Sequence, residues 1–235
     1  MLRGEFQTGV IKPIEIYKES WELIKDQYWL IFAITLVGML IGGAVPIVLI
    51  GPMICGIYIC LFQKIEGRQV VFESLFEGFS YFVPSLIVAI VIMVPIFLLL
   101  ITVYIPMIGM AIAGPKMKES EMIPFLIGTL IFELIMAVIM VCFHTLLMFA
   151  FPLIVDRKLS GLQAMQVSAK AVWHNLAGVA RLFGVGLLVG IVGYIALCVG
   201  IYLVLPLIFA SNAVAFRKIF PRLDNDPGFA AKIAA

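Results

Sequence analysis

Polar and hydrophobic positions segregate along this chain into whole segments. Three runs, residues 28–63, 78–115 and 182–216, contain no Asp, Glu, Lys or Arg, and charged positions gather between them. Hydrocarbon excludes ionisable groups, so each run reads as membrane-spanning. The first run has 36 residues. As a single helix it would measure about 54 Å, against a hydrocarbon core of roughly 30 Å. It therefore folds back on itself, and Gly42-Gly43-Ala44-Val45-Pro46 supplies the turn. The pattern predicts one helix over residues 29–43 and a second over 46–63. Residues 182–216 divide in the same way around Cys198-Val199-Gly200, giving a fifth and a sixth helix. The central run predicts a third helix over 83–105, then an outer loop rich in Pro and Gly that ends at Lys116 and Lys118. A fourth helix starts near Pro124 and runs towards Phe151-Pro152, closing before Asp156-Arg157-Lys158.

The basic residues support six crossings. Arg3, Lys12, Lys18, Lys25, Lys64, Arg68, Arg157, Lys158, Lys170, Arg181, Arg217, Lys218, Arg222 and Lys232 then share one face, and Lys116 and Lys118 lie on the other, a split of 14 to 2. By the positive-inside rule both termini are cytoplasmic, which implies a multi-pass protein of the cell's inner, cytoplasmic membrane. Reading either end run as one crossing would scatter these charges over both faces. Composition agrees: 63% apolar and 13% charged residues exclude a soluble domain of this length. The N-terminus is charged and amphipathic and carries no signal-peptide pattern.

An amphipathic stretch precedes each hairpin. Ile14, Tyr17, Trp21, Ile24 and Tyr28 recur at helical spacing after Pro13. Phe72, Leu75, Phe76 and Phe79 form one face opposite Glu73 and Glu77. From Ser160 to Ala180, the residues Leu162, Met165, Ala169, Val172, Trp173 and Leu176 point inward. Such helices lie in the membrane interface. The expected fold is all-α, with six transmembrane helices arranged as three hairpins, each preceded by a cytoplasmic interfacial helix. The segments are 1–66, 67–156 and 157–220 within a single membrane domain, followed by a flexible tail over 221–235. The first and third segments read as a duplication. A shift of 152 positions places Lys18 on Lys170, Trp21 on Trp173, Leu30 on Leu182 and Gly38 on Gly190. A shift of 154 places Pro52 on Pro206 and Phe62 on Phe216.

The segment Ile14-Glu15-Ile16-Tyr17-Lys18-Glu19-Ser20-Trp21, the link Phe151-Pro152-Leu153-Ile154-Val155-Asp156-Arg157 before an amphipathic stretch, and the closing Pro206 with Phe216-Arg217-Lys218 resemble a broad bacterial superfamily. Its members are uncharacterised six-helix membrane proteins similar to the membrane domain beside some glycerophosphodiester phosphodiesterases. The resemblance covers most of the chain and implies the fold. It transfers no catalytic residue, because the phosphodiesterase barrel has no counterpart here.

Chemistry within the expected crossings is sparse. Glu133 is the sole Asp, Glu, Lys or Arg in them, and an intramembrane acid is a functional candidate by default. His144 follows 11 residues later, about 20° round the helix and roughly 16 Å along it. The pair could serve a proton or cation path, or Glu133 could be a protonated carboxyl bonded to a neighbouring helix. Trp21, Lys18, Trp173 and Lys170 are candidate interfacial contacts for lipid or a partner. Cys55, Cys60, Cys142 and Cys198 lack metal-ligand spacing and read as packing residues. Gly38-Met-Leu-Ile-Gly42 and Gly186-Leu-Leu-Val-Gly190 have the spacing that lets helices approach closely.

No phosphate-binding loop, activated nucleophile or metal cluster is visible, so the sequence points away from an enzyme, a cofactor and a nucleic acid. The expected function is non-catalytic: a scaffold or accessory subunit of a membrane complex, or a lipid-organising bundle, with membrane lipids and other membrane proteins as partners. The alternative is a transporter or channel for a small solute or ion that uses Glu133.

Overall fold

The computed structural model describes residues 6–114, 117–195 and 200–222. Among them the chain forms α1 (Pro13–Ile24), α2 (Tyr28–Ala44), α3 (Pro46–Ile65), α4 (Phe82–Ala113), α5 (Glu119–Leu146), α6 (Ala150–Arg157), α7 (Gly161–His174), α8 (Leu176–Ile195) and α9 (Gly200–Ile219), with no strand. A 3-10 turn at Lys25–Gln27 links α1 to α2, and a 3-10 helix at Phe72–Tyr81 leads into α4. Six stretches are long and apolar enough to cross a membrane: Pro13–Ala44, Pro46–Ile65, Phe72–Ala113, Ser120–Arg157, Leu176–Ile195 and Gly200–Ile219. The protein is thus an all-α, multi-pass membrane protein.

Local sequence sets the boundaries. Pro13 and Pro46 open α1 and α3, where the missing proline N–H needs no partner. Gly67 and Lys158, both at positive φ, close α3 and α6. Ser160 and Gln163 form a capping box at the start of α7. The central run differs from the expectation: α4 continues through Pro95 and Pro106 to Ala113, and α5 begins at Glu119, ahead of Pro124. In hydrocarbon an unbonded backbone costs more than one missing proline donor, so the helix persists through the prolines. The chain also breaks after Leu146 and restarts at Ala150. Pro152 cannot donate to the Met148 carbonyl, and Asn212 Nδ2 reaches that carbonyl instead at 3.3 Å. Ser168 bridges the break, donating to the Leu146 carbonyl and accepting from the Phe149 N–H. The expected turn at Cys198-Val199 lies outside the described residues, as does most of the expected tail.

Contacts divide the chain into two units, residues 1–89 with 146–235, and residues 90–145. The core of the first is α3. Gly38 and Gly42 of α2 lie against Ile57 and Ile50, so this glycine pair does allow close helix approach. The 3-10 helix packs tighter still: a Cβ on Gly56 would overlap the Leu75 carbonyl, and one on Gly78 would overlap that of Pro52. On another side α3 meets α9. The Phe62 and Phe216 rings are 5.4 Å apart, and Asn212 Nδ2 donates to the Tyr58 hydroxyl at 2.8 Å. Both pairs are separated by 154 residues, the shift that aligns the chain's ends in sequence.

The apolar faces of the amphipathic segments are divided: Ile24, Leu75, Met165 and Val172 are buried as their spacing suggests, and other members are not. Phe76 and Phe79 are exposed, while Ser74, Leu75 and Gly78 are buried. In α7 and beyond, Leu162, Trp173 and Leu176 are exposed, and Ala164, Met165, Ser168 and Ala171 are buried. In α1 Ile16, Ser20 and Ile24 are buried, whereas Ile14 and Trp21 are exposed. Exposed apolar side chains are ordinary where the surrounding solvent is lipid, so hydrophobic periodicity does not locate the protein-facing side. The second unit shows this along its length: Leu98, Ile101, Ile105, Leu130, Leu134 and Val138 all lie on the surface of α4 or α5.

Candidate functional site

The richest polar chemistry gathers where α3, α6 and α9 end. Gly67, at φ 70°, turns the chain after α3 and brings Arg68 back onto Glu66. Arg68 Nε donates to Glu66 Oε2 at 2.8 Å, and its Nη2 bonds the same oxygen. Arg222 Nη2 pairs with Glu66 Oε1, and Arg217 Nη2 reaches it at 3.5 Å. Arg217 Nη1 donates to Asp156 Oδ1 at 2.5 Å, while its guanidinium lies 4.3 Å from the centre of the Phe62 ring. Arg157, 2% exposed, donates through Nη2 to the Pro221 carbonyl, and its Nε lies 3.0 Å from Asp156 Oδ2 without hydrogen-bond alignment. A guanidinium cannot shed its proton, so burying Arg157 requires the adjoining carboxylate.

These groups adjoin a pocket of about 380 Å³. Phe62, Gln63, Glu66, Glu77, Tyr81 and Arg217 are among its walls. A relay crosses one wall: Gln63 Nε2 donates to Ser74 Oγ at 3.0 Å, and Ser74 donates to Glu77 Oε1 at 3.0 Å. Gln63 Oε1 and Arg217 Nε have no hydrogen-bond partner among the described residues. Burial alone would raise the Glu66 carboxyl. Hydrogen bonds from Arg68 and Arg222 outweigh it and hold Glu66 below the usual carboxylate range.

The sequence-predicted residues lie elsewhere. In the second unit the Thr102 hydroxyl donates to the Leu99 carbonyl at 2.8 Å and stands 3.4 Å from Glu133 Oε2. Glu133 Oε1 is buried without a partner, and Glu133 lines a cavity of about 460 Å³ with Val103, Met107, Phe125 and Thr129. His144 places Nδ1 2.8 Å from the Met140 carbonyl and Nε2 3.1 Å from that of Ile92. Glu133 and His144 thus each tie α5 to α4 and do not share a site. Lys18 and Trp21 on α1, and Lys170 and Trp173 on α7, project outward as exposed side chains. Trp21 packs against Tyr28, their rings 5.8 Å apart. Cys55 and Cys60 are buried and Cys142 exposed, all three as free thiols.

Sequence reading missed the pocket. Its members come from positions 59–68, 77–81, 155–156 and 217, with no local motif. One signal was available: α3, α6 and α9 all end in charged residues on the same expected side of the membrane. Fold and site together define a multi-pass helical membrane protein with an ion-paired polar pocket at the ends of three helices. Comparison with protein families, with curated proteins and with solved structures finds no match to the chain.

The Glu66 carboxyl sits below its ordinary value when folded, so its stabilising contribution is present above that ordinary value and lost as pH falls through the folded one. Wild type should lose thermal stability in detergent as pH falls from about 5 to about 3. Glu66→Gln lacks this contribution and should lose distinctly less over the same range. Identical losses would remove Glu66 from the account.

Proposed function

We propose that the chain is a non-catalytic protein of the cytoplasmic membrane that holds and organises lipid. The observation that carries this reading is an apolar cavity of about 500 Å³ beside α8 and α9. Gly186, Gly190 and Ile208 line it, with Tyr17, Ser211 and Asn212 as polar points. Leu187, Ile191 and Tyr194 also line it and are exposed on a helix apolar enough to span the bilayer, where hydrocarbon is the surrounding medium. An acyl chain is the occupant this medium supplies. Asn212 Oδ1, buried and without a partner, offers an acceptor beside it.

The cavity lies where one member of the second glycine pair, Gly190, is left uncovered. A Cβ on Gly38 would meet Ile57 at 3.1 Å and Leu75 at 3.2 Å, whereas one on Gly190 would meet nothing within 4 Å. Native mass spectrometry after gentle extraction should find lipid retained by wild type, and much less by Gly190→Leu, which fills the groove. Equal retention would refute the reading. A stoichiometric protein in place of lipid would move it to the scaffold or accessory-subunit form.

The same proposal places six crossings in three hairpins with both termini cytoplasmic. The 14 to 2 distribution of basic residues and the resemblance to six-helix bacterial membrane proteins support it. A membrane-impermeant thiol reagent should label Ser120→Cys from outside and Gln166→Cys only from the cytoplasmic side, in a background without the four native cysteines. Labelling of both from one side would break the topology.

A second reading, a proton or cation path through α4 and α5, is favoured by one observation. Glu133 presents a buried, unpartnered oxygen in a cavity wall, and an intramembrane acid is expensive to keep. It expects ion flux into liposomes bearing wild type and its loss in Glu133→Gln. Equal flux in both removes Glu133 from any path.

A further inference from the structure

The polar pocket at the ends of α3 and α9 has a charge pattern that selects its ligand. Its walls carry three carboxylates, Glu66, Glu77 and Asp156, and two guanidiniums, Arg68 and Arg217. Arginines engage Glu66 and Asp156. Glu77 accepts from the Ser74 hydroxyl and has no cationic partner among the described residues. Gln63 is 9% exposed, yet its Oε1 bonds nothing among the described residues. Burying a carbonyl acceptor without a donor is costly, and a ligand N–H would relieve it. Arg217 has an Nε–H without an acceptor among the described residues. The unfilled positions are therefore a carboxylate and an amide carbonyl together, which call for a cationic N–H donor, and a guanidinium N–H, which calls for an anion.

We infer that this pocket binds the zwitterionic ethanolamine phosphate group, its primary ammonium towards Gln63 and Glu77 and its phosphate towards Arg217. A lone anion would meet the Glu77 charge, and a lone cation would leave unanswered the Nε–H of Arg217, whose Nη atoms already pair with Asp156 and Glu66. A trimethylammonium group has no N–H to give Gln63, so a choline headgroup fits poorly. The inference concerns a second site, apart from the apolar cavity, and rests on the lipid-holding reading for the ligand's source, since the same group is available on a phospholipid or free. The two fail separately, because Gly190→Leu alters the apolar cavity and touches no wall of this pocket.

The test uses the full chain purified in detergent, titrated calorimetrically with O-phosphoethanolamine, phosphocholine, β-alanine and inorganic phosphate. The same chain is then placed in nanodiscs of mixed phosphatidylethanolamine and phosphatidylcholine, and bound lipid is identified by native mass spectrometry. A hydrogen bond to a charged group sets the scale, so the ethanolamine compound should bind about tenfold more tightly than its choline counterpart. Glu77→Gln should abolish that preference, while Glu73→Gln, exposed on the same 3-10 helix, should keep it. Preference for soluble O-phosphoethanolamine identifies the free zwitterion as ligand. Preference seen only for the lipid identifies the headgroup. Equal binding of the ethanolamine and choline compounds in both formats overturns the inference, and so does inorganic phosphate or β-alanine binding as well as O-phosphoethanolamine. Retained selectivity in a folded Glu77→Gln overturns it too. The headgroup comparison on wild type requires no variant, so a misfolded Glu77→Gln leaves the inference open to refutation.

Discussion

At Gly56 and Gly78 the backbones of α3 and the 3-10 helix meet with no side chain between them. A Cβ on either residue would strike backbone atoms, which no change of rotamer can move aside. Between membrane helices there is little hydrophobic drive, and close packing of this kind supplies the attraction. The contact seats Leu75, fully buried, over Gly38, so that α2, α3 and the 3-10 helix interlock. It also holds Ser74 and Glu77 beside Gln63, which makes one wall of the polar pocket.

The apolar cavity is the converse of that wedge. On α2 and α3, the space over Gly38 is filled from one side by Ile57 and from the other by Leu75. At Gly190, which aligns with Gly38 in sequence, no atom takes Leu75's place. A void of this size in a soluble core would be heavily destabilising. In a bilayer the surrounding chains can fill it, and the helices need not close over it. The two glycine motifs thus differ at one position: Ile57 of α3 and Leu75 of the 3-10 helix cover Gly38, and nothing lies within 4 Å of a Cβ on Gly190.

What could be read in sequence follows the same division. The charge-free runs and the turn at Gly43 to Pro46 gave α2 and α3 nearly to the residue, because hydrocarbon punishes charge and proline opens helices in any context. Helix faces were less legible. Spacing assigned Leu162, Trp173 and Leu176 to the interior, but lipid accepts apolar side chains as readily as protein does, and all three are exposed. In sequence Asp156 and Arg157 only mark where the fourth helix closes. In the fold Arg157 is buried, and Asp156 answers both it and Arg217 from α9. That pairing spans 61 positions and leaves no local trace. Glu133, by contrast, stood out in sequence because it is alone, and the Thr102 hydroxyl stands 3.4 Å from its Oε2.

Helix α9 separates the two candidate sites. Ile208, Ser211 and Asn212 face the apolar cavity, and Arg217 faces the polar pocket. Asn212 and Arg217 are five residues apart, about 140° round the helix and roughly 7.5 Å along it. One lipid therefore cannot place its chain in the first and its headgroup in the second by following a single face of α9, and the two spaces call for separate ligands. Both nevertheless lean on α3, since Tyr58 accepts from Asn212 and Phe62 supports the Arg217 guanidinium. Tyr58 thus supports the apolar cavity through Asn212, and Phe62 the polar pocket through Arg217. Glu77 and Gly190 stand away from that shared contact, so each addresses one site alone.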